Sequence, residues 1–158
     1  MSESVSAIPK GYEGIIPYIA VKKCAEAIEF YKRAFDAEEL FRMAGEDGKV
    51  GHAELKIGSG VLMLADEHPD YGCLAPQTIG GTPFTMMVYV DDVDKFAEKA
   101  VAAGLKTVRA IADQFYGDRS GHFEDPYGYK WCFATHVKDV SPEDMNAAAA
   151  KHAAGGEK

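Results

Sequence analysis

Gly51-His52-Ala53-Glu54 and Gly121-His122-Phe123-Glu124 are near-copies of one motif, set 70 positions apart. Each is followed at equal distance by a glycine, Gly58 or Gly128, and then by an apolar run, Val61-Leu62-Met63-Leu64-Ala65 or Trp131-Cys132-Phe133-Ala134. Upstream, Tyr18-Ile19-Ala20-Val21 is matched at an offset of 69 by Met87-Val88-Tyr89-Val90. A repeat of this length marks one structural unit used twice, neither copy of which buries its apolar face alone.

Working outward, each copy reads as strand, helix, strand, strand, strand. Ile15 to Val21 is β-rich, and Pro17, lacking a ladder N–H, places that strand at a sheet margin. Cys24, Ala27, Ile28, Tyr31 and Phe35 recur at helical spacing and predict an amphipathic helix. Strands over Glu39 to Met43, Gly51 to Ile57 and Val61 to Ala65 follow, separated by Glu46-Asp47-Gly48 and Gly58-Ser59-Gly60. Residues 66 to 81 carry prolines and glycines without periodicity and predict a linker.

In the second copy Thr85 to Val90 is a strand, and Asp91 or Asp92 caps a helix with the stripe Val93, Phe96, Ala97, Ala100 and Val101, ended by Gly104. Lys106 to Ile111 is a strand, Asp113 to Arg119 a polar and aromatic loop, Gly121 to Glu124 a strand, Asp125-Pro126-Tyr127-Gly128 a turn and Tyr129 to His136 the last strand. Ser141 as N-cap with Pro142 at the first helical position starts an alanine-rich terminal helix. The expected organisation is a single domain over 1–137, made of modules 13–66 and 82–137 joined by linker 67–81, with a helical tail over 138–158 and a weakly patterned lead-in over 1–12.

Composition bounds the function. The 158 residues, 47% apolar, suffice for one sizeable core. Seventeen basic against 25 acidic side chains give a net charge of -8 without a basic cluster, which speaks against nucleic acid as partner. No run of about 18 apolar residues offers a membrane span and the N-terminus lacks a secretion-signal layout, so no membrane partner and a cytoplasmic location are expected. Cys24, Cys73 and Cys132 form no close pair and predict reduced thiols.

The tandem modules and the turn Asp125-Pro126-Tyr127-Gly128-Tyr129-Lys130 resemble the vicinal oxygen chelate superfamily, which includes glyoxalase I, bleomycin-resistance proteins and extradiol dioxygenases. His52-Ala53-Glu54-Leu55 with Val61 to Asp66, together with Asp113 to Arg119, looks like the PhnB-like subgroup. The resemblance implies an α+β fold of tandem βαβββ modules, curved sheets enclosing a cleft, a small-molecule ligand and frequent homodimers.

It also implies metal-ligand positions on the first and last strand of each module. These fall at about Ile16, Met63, Thr85 and Cys132, and one residue either way reaches only Ile15, Pro17, Leu62, Leu64, Phe84, Met86, Trp131 and Phe133. None is a histidine or carboxylate, so no cofactor is expected at the usual positions. A divalent metal remains open at a relocated set, His52, Glu54, His122 and Glu124, because residues two apart on a strand share a face. Converging without metal, the same four would be acid and base groups; otherwise they project outward or bond each other.

The loop residues Tyr116, Asp118 and Arg119 either contact a ligand or form an Arg119–carboxylate brace. Met63, Thr85, Met87, Tyr89 and Trp131 are the expected cleft lining, with Thr85, Met87 and Tyr89 on one strand face and Phe84, Met86 and Val88 on the other. Cys132 reads as packing and His68, His136 and His152 as surface residues. Two functions stay open: binding or sequestering a cationic or aromatic compound, and a metal-dependent lyase, isomerase or dioxygenase with relocated ligands.

Overall fold

The computed structural model describes residues 5–155; the expectations for residues 1–4 and 156–158 lie outside them. The chain divides into two compact units between Gly81 and Thr82. The first contains β1 (Tyr18–Val21), α1 (Cys24–Phe35), β2 (Glu38–Ala44), β3 (Val50–Ile57) and β4 (Gly60–Asp66), in the sheet order β1-β4-β3-β2. β1 and β4 are parallel; the other pairs are antiparallel.

After β4 the first unit continues, in chain order, with a 3-10 turn over Pro69–Tyr71 and a short helix α2 (Pro76–Ile79). The second unit contains β5 (Thr85–Tyr89), α3 (Val93–Ala102), β6 (Lys106–Asp113), β7 (Asp118–Glu124) and β8 (Lys130–His136), in the order β5-β8-β7-β6, and then α4 (Pro142–Gly155). The fold is α+β, two curved mixed sheets of βαβββ modules, as the repeat predicts. No helix among the described residues is long and apolar enough to cross a membrane.

The predicted stripes seat the helices. All five stripe residues of α1 are buried, and the helix stops where Asp36 takes a left-handed conformation and its N–H bonds Tyr31 O. In α3 the Asp92 carboxylate accepts from Lys95 N at 3.1 Å, and Val93, Ala97 and Ala100 are buried. Val101 is exposed instead, because it lies about 80° around the helix from Val93, at the margin of the stripe. β1 is an edge strand, with Pro17 just ahead of it accepting Met63 N at 2.9 Å through its carbonyl.

Two local expectations change. Residues 66–81 are not uniformly irregular: prolines start both the 3-10 turn and α2, and the Glu67 carboxylate accepts from Ala75 N at 3.1 Å and Thr78 Oγ1 at 2.5 Å. The loop 113–119 shrinks to Gln114–Gly117, since β6 runs to Asp113 and β7 starts at Asp118. Gln114 N bonds Asp118 O at 2.7 Å, and Gly117, at φ 101, accepts both Val137 N and Lys138 N through its carbonyl. A Cβ there would stand 2.0 Å from Lys138 O, so only glycine fits.

Each sheet turns one face to its helix; on the opposite face of the second sheet Asp118, Ser120, Cys132 and Ala134 are buried as well. In the first unit Ile19, Val21, Ala53, Leu55, Leu62 and Leu64 are buried toward α1, and Asp66 on that side accepts from Cys24 N and Val50 N. In the second, Met86, Phe123, Trp131 and Phe133 form the buried side; Trp131 stacks on Phe133 at 5.8 Å, and Phe96 of α3 lies 4.6 Å from Phe133.

Candidate functional site

The opposite, helix-free faces carry the candidate residues. On the first sheet Tyr18 is paired with Met63, Met63 with Glu54, and Glu54 with Phe41, one row across all four strands. Tyr18, Phe41 and Met43 are about half exposed on this face. His52 joins them: its Nδ1 lies 2.7 Å from Tyr18 Oη and its Nε2 3.0 Å from Glu54 Oε1. The second Glu54 oxygen accepts the Tyr12 hydroxyl.

Hydrogen bonds from His52 and Tyr12 hold Glu54 below the usual carboxylate range. The Tyr12 hydroxyl is held up by its bond to the Glu54 carboxylate, and the Tyr18 hydroxyl chiefly by burial. The Tyr18–His52–Glu54–Tyr12 chain is closed: both imidazole nitrogens and both carboxylate oxygens have partners.

The second sheet differs. Met87, Cys132, His122 and Arg109 form one row, and Tyr89, Ala134, Ser120 and Ala112 the next. Tyr89 donates to Asp118 Oδ2 at 2.6 Å, and His136 sits between Asp118 Oδ1 at 2.8 Å and Asp139 Oδ1 at 2.9 Å. The two carboxylates, Asp139 first, raise His136 above the ordinary histidine value. Burial and then the Arg109 charge push His122 down. No hydrogen bond from a described side chain reaches the His122 ring or the Arg109 guanidinium, and Ser120 Oγ is buried without a partner.

The repeated motif does not occupy equivalent places. Met63 and Cys132 correspond at the offset of 69, as do Tyr18 and Met87 opposite them. Yet Met63 is paired with Glu54, whereas Cys132 is paired with His122 rather than Glu124. The hairpin between β3 and β4 turns between Ile57 and Gly60, while that between β7 and β8 needs the whole stretch from Glu124 to Lys130. The motif slides by two residues, which keeps its face but moves it one pleat along. Glu54 thus corresponds in space to His122, and His52 to Ser120.

The remaining sequence candidates fall as follows. Thr85, Met87 and Tyr89 are exposed on the helix-free face, and Met86 is buried on the other. Trp131 lies on the helix side, 2% exposed, its indole donating to Asp125 Oδ2 at 2.8 Å. Arg119 is also on the helix side, gripping Asp94 of α3 through Nε at 2.7 Å and Nη2 at 2.8 Å, and Asp113 at 3.0 Å. Tyr116 sits in the turn beside Phe115, which touches His152 of α4. His136, read from sequence as a surface residue, is instead held by two aspartates; its parity with Cys132 along β8 is the signal that puts it on this face. Arg109 and Ser120 have no sequence signal beyond strand alternation, and Tyr12, outside every strand, has none.

Within the described residues no group of three or more His, Cys, Asp or Glu side chains is placed to hold a metal ion. The relocated set fits one poorly: His52 and Glu54 already bond each other, Tyr18 and Tyr12, and His122 faces a guanidinium.

Residues 15–133 match the family model described as Glyoxalase/Bleomycin resistance protein/Dioxygenase superfamily. The chain is 41% identical over 135 residues to the uncharacterized protein Mb0911c of Mycobacterium bovis, covering 84% of this chain and 89% of that one. Among solved structures it is similar to TioX from Micromonospora sp. ML1, at 26% identity and a TM-score of 0.64 over 79% of this chain and 99% of that one. A gene product of Arabidopsis thaliana is 25% identical with a TM-score of 0.63, over 78% of this chain and 98% of its own.

Proposed function

Since the chain belongs to the glyoxalase/bleomycin resistance protein/dioxygenase superfamily, we propose that it is a small-molecule-binding protein that takes its ligand on the sheet face turned away from the helix in one or the other unit. The observation that carries this reading is the exposure of Tyr18, Phe41 and Met43 on one such face and of Met87 and Tyr89 on the other, beside half-buried polar side chains. Exposed rings and methionines next to a few fixed polar groups suit flat organic molecules. An aromatic ligand follows from these rings; a cationic one follows only from the overall charge of -8. A PhnB-like affiliation, a cytoplasmic homodimer and the absence of a resident cofactor belong to the same proposal.

The metal-dependent alternative keeps one supporting observation, the His52–Glu54 contact at 3.0 Å. Because both residues are already engaged by Tyr18 and Tyr12, no reaction step is routed through a metal. Elemental analysis of the purified protein, before and after loading with zinc, nickel, manganese and ferrous iron, tests it. The binding reading predicts no stoichiometric metal after dialysis, and a ligand screen by thermal shift that yields aromatic hits sensitive to Tyr18→Ala or Tyr89→Ala. Retained metal lost in the His52→Ala, His122→Ala double variant overturns it.

A further inference from the structure

We propose that the helix-free face of the second sheet binds the carboxylate of an aromatic acid, with Arg109 as its counter-charge and His122 and Ser120 as neutral hydrogen-bonding partners. This rests on the small-molecule-binding reading above and names the ligand class for one of its two faces.

The argument starts from what each sheet leaves unmade. On the first sheet the polar side chains satisfy one another: Tyr18, His52, Glu54 and Tyr12 form a closed chain. On the second, the residues at the corresponding places are His122 for Glu54 and Ser120 for His52, with Arg109 across from His122 as Phe41 is across from Glu54. None of the three side chains has a hydrogen-bond partner among the described residues. Polar groups placed like the buried Ser120 and the half-buried His122 nearly always have one, so these two mark contacts that the chain does not make with itself, and the exposed Arg109 stands beside them.

Charge and shape choose the partner. Arg109 is a permanent cation with a planar fork of donors, matched to a two-oxygen carboxylate. Its charge is felt across the row, acting against protonation of His122 and in favour of ionisation of Cys132. A neutral His122 leaves Arg109 as the one positive charge of the row, which suits a monoanion; the buried Asp118, two residues from Ser120, disfavours more negative charge. Met87 lies in the same row at the opposite edge, three strand spacings or about 14 Å away. Tyr89 stands next to it over a floor of Ala134 and Ser120. The inferred ligand would lay its ring body against the exposed Met87 and Tyr89 and turn its carboxylate toward Arg109. The net charge of -8 describes the whole chain, whereas a ligand responds to the charges within a Debye length of about 8–10 Å.

The test uses the full chain and three probes on one ring system: 1-naphthoate, 1-naphthylmethanol and 1-naphthylmethylammonium, titrated calorimetrically into wild type, Arg109→Gln and Arg109→Lys. We expect naphthoate to bind wild type at least about tenfold more tightly than the alcohol. Arg109→Gln should abolish that preference, and Arg109→Lys should restore part of it. Ser120→Ala should weaken naphthoate several-fold. Arg109 is exposed, so its variants keep the core intact. If the alcohol or the ammonium compound binds as well as naphthoate, or the preference survives in Arg109→Gln, the inference is wrong while the binding reading stands. If none of the three binds at millimolar concentration, both are overturned.

Discussion

Tyr89 and His136 grip the same carboxylate from opposite ends, each taking one oxygen of Asp118, so the last strand of the second sheet is tied to the first through a buried acid. His136 also reaches Asp139, just past the end of β8.

That double contact makes the fold pH-sensitive in a stated direction. Because the folded-state pKa of His136 is raised by Asp139 and Asp118, its contribution is fully present below the unfolded value of about 6.5 and is lost as pH rises through the folded value. Thermal unfolding of wild type and His136→Gln from pH 5 to 9 should differ most at the acid end and converge at the alkaline end. A constant difference would contradict this.

The two β7–β8 histidines should titrate on opposite sides of the ordinary value. Burial and Arg109 lower His122, and carboxylates raise His136. Imidazole resonances followed by NMR should separate accordingly, and Arg109→Gln should move His122 upward while leaving His136 in place.

Asp125 holds the turn before β8 by accepting from Tyr127 N and Tyr129 N at 2.9 Å and from the Trp131 indole at 2.8 Å. Trp131→Phe keeps the stacking on Phe133 but leaves a buried oxygen short of a donor, at a cost of about 1–3 kcal/mol. Urea denaturation should show this loss with an unchanged slope, and ligand binding should not change, because Trp131 faces the helix.

Thiol reactivity should separate the three cysteines. Burial pushes Cys24 up to about 12 and also raises Cys132, whereas Cys73 is exposed. An aromatic disulfide reagent should titrate one thiol quickly in the native protein, and Cys73→Ser should remove that phase. A fast phase surviving in this variant would mean that a buried cysteine is accessible.

Arg119 braces β7 to α3 through Asp94, and the exposure of its Asp94 and Asp113 partners makes the brace salt-sensitive. Arg119→Met should lower the melting temperature more at low than at high ionic strength, with no change in ligand affinity.

The order of elements was legible because it depends on local periodicity. The α1 stripe, the Asp92 cap and the Ser141–Pro142 helix start each rest on neighbours a few residues apart. Strand alternation likewise put Thr85, Met87 and Tyr89 on one face against Met86 on the other. Alternation fails to rank the faces where all residues are apolar: nothing in Trp131-Cys132-Phe133 says which ring faces the helix, and the structure puts Trp131 and Phe133 there together.

By itself, then, the sequence determined a duplicated βαβββ module, its two module helices, the edge position of its first strand and the face each strand residue would share with its neighbours two apart. Tertiary structure alone decided the cross-strand register, because register is set by hairpin length and by packing between segments distant along the chain. The wider turn between Glu124 and Lys130 slides the second Gly-His-x-Glu copy one pleat along β7. Two histidines alike in sequence therefore meet different partners: His52 closes a chain with Tyr18 and Glu54, and His122 faces Arg109 with no side-chain hydrogen bond among the described residues.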